Sequence, residues 1–154
     1  MAAIDKDHIA RDVYRAFYTL VTGSITDTQT TPRAVSSWCF SSFPDKNKLD
    51  KDDFPIVIFD KPTFTTENWT ITKNNANTSM VITVYMAGNK AAENCDNMAD
   101  QVFHIISDAK YSSLRNSTGL YNIEVVRMDA DVVMIGEIKI HTKIIEISGV
   151  YRYS

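Results

Sequence analysis

The residues of this chain best equipped for metal or nucleophilic chemistry are three histidines and two cysteines. Their spacing assigns them none. His8, His104 and His141 each stand alone, with no second His or Cys three or four residues away to complete a ligand pair. Their plain reading is structural or solvent-facing. A nucleophile pair of Cys39 and His104 would have to be assembled through the fold, and no local signature around either residue supports it. The five glycines, at 23, 88, 119, 136 and 149, are scattered and form no phosphate cradle. The reading from residue types is therefore of no catalytic residue, no cofactor site and no metal site.

The acidic residues come closer to a known ligand pattern. The run from Asp45 to Asp53 alternates oxygen ligands at its start, as a calcium loop does. Such a loop needs glycine at position six and a bidentate acid at position twelve. Those places hold Asp50 and Ile56, so a solvated, charge-mixed loop is expected instead. Asp129 and Asp131 flank Ala130 between two strands; they suit weak cation binding, but acids of this kind are routine in turns.

Composition bounds the rest. A length of 154 residues predicts a single domain over 1–154, able to bury roughly 70% of the surface of its unfolded chain. A net charge of −3 argues against bulk attraction to nucleic acid or to an anionic membrane. The opening MAAIDKDHIARDVYR interleaves acids and bases and lacks the apolar heart of a signal peptide. No stretch approaches the ~20 apolar residues that span a bilayer. A chain soluble in a cytosol, with Cys39 and Cys95 as reduced thiols, is expected. In that setting the Asn-x-Ser/Thr matches at Asn68, Asn77 and Asn116 carry no glycan.

The elements that would position any site follow from periodicity. Ile4, Ile9, Val13, Ala16, Phe17, Leu20 and Val21 form a stripe that predicts a helix from about Lys6 to Thr22, stopped by Gly23. Ser24 to Lys51 has no sustained period and reads as an irregular connector or a flap, although Val35, Trp38, Phe40 and Phe43 are bulky enough to pack. A strand is predicted over Pro55 to Phe59. Trp69 to Lys73 alternates as one hairpin arm, with Asn74 to Asn77 as the turn and Ser79 to Met86 as the other arm. Met80, Ile82, Val84 and Met86 face one way, Val81, Thr83 and Tyr85 the other, so this strand should be central. Cys95, Met98, Ala99, Val102, Ile105, Ile106 and Ala109 form the stripe of a second helix, about Lys90 to Lys110. Tyr111 to Leu120 reads as a loop. Two long strands follow, Ile123 to Val133 and Glu137 to Tyr153, with parity changes that predict bulges near Val125-Val126 and Ile144-Ile145. The expected fold is α+β: a mostly antiparallel sheet of about four to five strands, two helices packed on one face, and a long C-terminal hairpin.

That order of elements, with a Phe54-Pro strand, an apolar Met80-Val-Ile-Thr-Val-Tyr-Met strand, a helix of the Met98-Ala-Asp-Gln-Val-Phe type and a closing Gly149-Val-Tyr-Arg-Tyr, resembles the tail terminator family of long-tailed phages and tailed archaeal viruses. The likeness runs from about residue 6 to the end; the 24–51 connector is longer than the family leads one to expect. The resemblance implies a structural, non-enzymatic virion protein made in the host cytoplasm. It implies a homohexameric ring that caps the tail tube and joins it to the head connector or neck protein. DNA would pass through the ring unbound, with no membrane involved. On that reading Asp129, Asp131 and Glu137 lie near the channel, where carboxylates repel phosphates. Val126, Met128, Ile144 and Tyr151 join them as interface or channel residues; Tyr151 reads equally well as a cap on the core. The competing readings are another neck or head-completion protein, a non-viral α+β module that binds a small ligand or peptide, and a small hydrolase or nuclease, which the missing acid/base constellation weakens.

Overall fold

The two longest strands in the middle of the sheet pair along the whole length of the shorter one, and everything else is arranged around that contact. The computed structural model describes residues 2–154. Strand β4 (Asn74–Ala87) pairs antiparallel with β6 (Ile138–Tyr153) from Asn74↔Tyr153 to Ala87↔Ile140 without a break. The preceding β5 (Leu120–Ile135) returns along the free side of β6. On the other side of β4 lie β2 (Ile56–Phe59) and β3 (Thr63–Asn68), end to end, and the two-residue β1 (Cys39–Phe40) pairs parallel with β2. The order is β1-β2-β4-β6-β5, with β3 beside β4 as the sixth strand.

Helices cover one face only. The amphipathic α1 (Ile9–Thr22) buries Ile9, Val13, Ala16, Phe17 and Val21. The longer α2 (Ala91–Ala109) buries Cys95, Met98, Ala99, Val102 and Ile106. These stripes meet Val57, Phe59, Met80, Ile82, Val84, Ile145 and Ile147, the residues of one parity from three strands, in the main core. Opposite parity supplies a second, smaller cluster of Phe54, Ile56, Ile58 and Ile140. Its cover is the connector: Phe40, Phe43 and Leu49 pack there, and the Phe43 ring meets Tyr85 edge-on at 4.8 Å between centroids.

The connector is held by a buried ion pair. Arg33 donates through Nε to Asp27 Oδ2 at 2.9 Å, and its other nitrogens donate to the carbonyls of Asp53 and Pro55 at 2.8 Å each. Gln29 Nε2 donates to the carbonyls of Asp52 and Phe54. The segment is thereby tied to the start of β2, and Trp38 is 1% exposed. Burial by itself would raise the Asp27 pKa, but the hydrogen bonds from Arg33 and the backbone N–H of Gln29 outweigh it and hold the carboxyl below its ordinary value.

Several expectations are corrected. The first hairpin is shifted: its arms are β3 and β4, Trp69–Lys73 is the turn, and Asn74–Asn77 begin the second arm, paired with β3 on one side and β6 on the other, with Ala76 in the main core. The segment 111–120 is not all loop. Ser113–Thr118 forms α3, anchored by buried Leu114 and ended by Gly119 at φ 82°. The sheet has six strands instead of four to five. Of the two expected bulges only the one in β5 is present: register shifts fall between Tyr121 and Glu124 and between Val125 and Arg127. No bulge occurs at Ile144-Ile145: both stay in register with β4 and β5, Ile145 facing the main core and Ile144 the opposite, open face across from Thr83 and Asp129. Asp129 and Asp131 lie within β5, away from any turn. The turn is Gly136-Glu137, so Glu137 does not begin the strand; Gly136 takes φ 62° while Glu137 keeps negative φ, the glycine-first pattern of a type II′ hairpin.

Arg33→Met strands the buried Asp27 and is expected to destabilise the fold by about 3 kcal/mol, read as a lower urea midpoint at pH 7. Because the folded pKa of Asp27 is depressed, its contribution is present above the ordinary value of 3.8 and fades as pH falls through the folded value. The gap between wild type and variant should therefore shrink by pH 3; an equal gap at both pH values would contradict the pairing.

Candidate assembly surface

Strand β3 is the most open element of the sheet. Thr63, Phe64, Thr65, Thr66, Glu67 and Asn68 are all exposed, and beyond β4 the strand has no partner among the described residues. At the far side of the sheet β5 likewise pairs only with β6. Each edge offers a row of backbone N–H and C=O groups to a further strand. The two bulges interrupt the β5 edge below Arg127, leaving Arg127 to Ile135 as its regular stretch.

The face opposite the helices is covered at one end by the connector and open at the other. Following the register, Glu67, Glu124, Asp129, Asp131 and Glu146 project from it together with Arg127 and Arg152. Both cations are engaged. Arg127 Nε lies 2.8 Å from Asp129 Oδ2 and 3.7 Å from Glu146 Oε2. The Arg152 guanidinium lies 3.2 Å from the Trp69 ring centroid and 4.9 Å from that of Tyr121. Its Nε and the Tyr121 hydroxyl both donate to Asn75 Oδ1 at 3.1 Å. This clamp fastens the β3-β4 turn to the ends of β5 and β6, although Trp69 itself is half exposed. The open face is thus net acidic and its β3 arm is held in place.

The residues singled out from sequence separate into groups. Asp129, Asp131 and Ile144 share the open face, with Asp129 directly across from Ile144. Glu137 is exposed at the hairpin tip, and Val126 is exposed at the bulge, away from that row. Met128 and Tyr151 pack against the main core. Tyr151 donates its hydroxyl to the Ile4 carbonyl at 2.8 Å and stacks on Tyr153, as a residue capping the core does. Sequence reasoning missed β3 altogether. Its Thr-Phe-Thr-Thr was the available signal, since threonine and aromatics favour strands, but the run lacks the apolar alternation of a half-buried one.

Cys39 and His104 are not brought into one site. Cys39 is buried on β1, and burial pushes its thiol up to about 12; the Cys95 thiol is likewise pushed up to about 11. His104 is exposed on α2 beside a shallow groove of about 610 Å³ lined by Asn97, Asp100, Gln101 and Asp108, and Cys39 lines no part of it. No group of three or more His, Cys, Asp or Glu side chains is placed to hold a metal among the described residues. No helix among them is long and apolar enough to cross a membrane.

These features define a class: a single-sheet α+β domain with helices on one face, a partly open acidic face, and a strand with a free outer side, β3 or β5, on each side of the sheet. No family model and no curated protein matches the chain. Its fold is shared with a chain from the virion of a native gene transfer agent particle, at 14% identity and a TM-score of 0.52, over 90% of this chain and 93% of that one. At that identity the likeness is one of fold.

Arg152→Ala should free the indole of Trp69, shifting its fluorescence to the red and raising its iodide quenching, with a stability loss of roughly 1 kcal/mol; buried Trp38 contributes a constant background. Unchanged quenching would rule out the clamp. Both thiols should resist iodoacetamide at pH 7.5 in the folded chain and react promptly in urea, a contrast that mass spectrometry of the alkylated protein measures.

Proposed function

We propose that this chain is a structural virion protein, without enzymatic activity, that acts as a tail terminator. Six copies close into a ring on the last ring of tail tube, and the ring presents the surface on which the head connector or neck protein docks. The observation that carries this reading is the pair of strands, β3 and β5, whose outer sides are free on opposite sides of one sheet, in a chain whose fold matches, over nearly its full length, that of a chain from a gene transfer agent virion. Head-to-tail contacts join two different surfaces of each copy and generate closed rings when the rotation permits. A chain with one free edge on each side is built for such contacts.

The acidic row supports the second half of the reading. Asp129, Asp131, Glu124 and Glu146 on the open face would give a channel wall that repels phosphates and leaves the duplex free to slide. Nothing in this role requires a reaction at any side chain.

Electron microscopy of particles produced with and without this chain tests the proposal. Loss of the chain is expected to yield overlong tails or separate heads and tails. Joined particles with tails of normal length in its absence would refute it.

A further inference from the structure

We infer that neighbouring copies join by antiparallel pairing of β3 of one copy with β5 of the next, in a single register that sets Glu67 opposite Arg127, Thr65 opposite Asp129 and Thr63 opposite Asp131. This deepens the ring reading and rests on it.

Strand direction and side-chain parity favour the contact. Each step from β3 through β4 and β6 to β5 is antiparallel, so β3 and β5 run in opposite directions. Rotation about a ring axis preserves the sense of each strand along that axis, so the β3 of one copy meets the β5 of the next antiparallel with the helices on the same side. In the stated register the open-face residues of β3 (Thr63, Thr65, Glu67) meet the open-face residues of β5 (Asp131, Asp129, Arg127). The two threonine hydroxyls then donate to carboxylates, and Glu67 faces a guanidinium. On the helix side Phe64, 41% exposed, falls opposite Ala130, between Met128 and Val132, the latter 47% exposed. A small residue flanked by two apolar ones receives an aromatic ring well at diagonal cross-strand distance.

Alternative registers are opposed by charge. Sliding β3 by two residues in either direction, the smallest slip that keeps the faces matched, places Glu67 against Glu124 or Asp129. Like charges directly opposite destabilise a strand pair. The β5 bulge between Val125 and Arg127 also ends the regular pairing just where β3 ends, at Asn68. Within one sheet Thr65 is level with Asn77 and Asp129 with Thr83, so each neighbour is displaced along the strands by the distance between those β4 residues. A displacement repeated around a ring tilts the strands against its axis, as closure of a sheet requires, with tilts of about 35–45° in barrels.

The test is a disulfide placed in register, in particles assembled from the full chain. Thr65→Cys combined with Asp129→Cys should give, on oxidation, a ladder of covalent multimers on a non-reducing gel. Thr65→Cys with Ala130→Cys, whose side chains point to opposite faces, should give none. Buried Cys39 and Cys95 do not confuse the readout. Glu67→Arg or Arg127→Glu alone should weaken each contact about fivefold, and the double reversal should restore it. Rings that form normally yet yield no in-register ladder, or single reversals without effect, would overturn the β3-β5 pairing and leave the ring. Absence of the chain from purified particles would overturn the ring proposal and this pairing with it.

Discussion

The uninterrupted pairing of β4 with β6 is the constraint on which the rest depends. Both strands are covered on both faces over part of their length, so a one-residue slip would exchange Met80, Ile82, Val84, Ile145 and Ile147 in the main core for their polar and mixed neighbours. With that register fixed, α2 has one place to lie: its stripe meets the residues of one parity, and Lys143 on β6 reaches Asp96 on α2 at 2.8 Å. The opposite parity is left with a small apolar cluster that neither α1 nor α2 covers. The connector, pinned by Arg33 and Gln29, supplies that cover.

A sheet organised from its middle leaves its margins free. The β5 margin is partly blunted by bulges, and the β3 margin is made of threonines, a phenylalanine, a glutamate and an asparagine, so neither is a continuous apolar edge. Both remain open to a partner of matching pattern. The clamp of Trp69, Arg152 and Tyr121 adds rigidity where the β3 arm leaves the core.

Much of this was legible before the fold was known. The stripes of α1 and α2 and the central character of β4 follow from periodicity, because each is set by which side of an element is buried. The bulge at Val125-Val126 was equally readable from a parity change. Polar elements were not: β3 and α3 carry no strong periodicity, and Asn74 to Asn77 look like a turn although β3 on one side and β6 on the other hold them in strand pairing. The parity change at Ile144-Ile145 misled because Ile144 is an apolar residue on the open face, across from Thr83 and Asp129, in a strand that stays in register without bending.

Composition and spacing by themselves determined that the helices and central strands would enclose one main core, and that no histidine or cysteine lay in a ligand-like spacing. Both are consequences of local periodicity and residue type. Only the tertiary structure decided that Asp129, Asp131 and Ile144 share an open face with Glu67 and Glu146, that Met128 and Tyr151 turn toward the core, and that β3 and β5 become the free edges. Those outcomes depend on strand order and register, which in the β4-β6 pair couple residues from Ala87 with Ile140 to Asn74 with Tyr153, and no local pattern carries information over that distance.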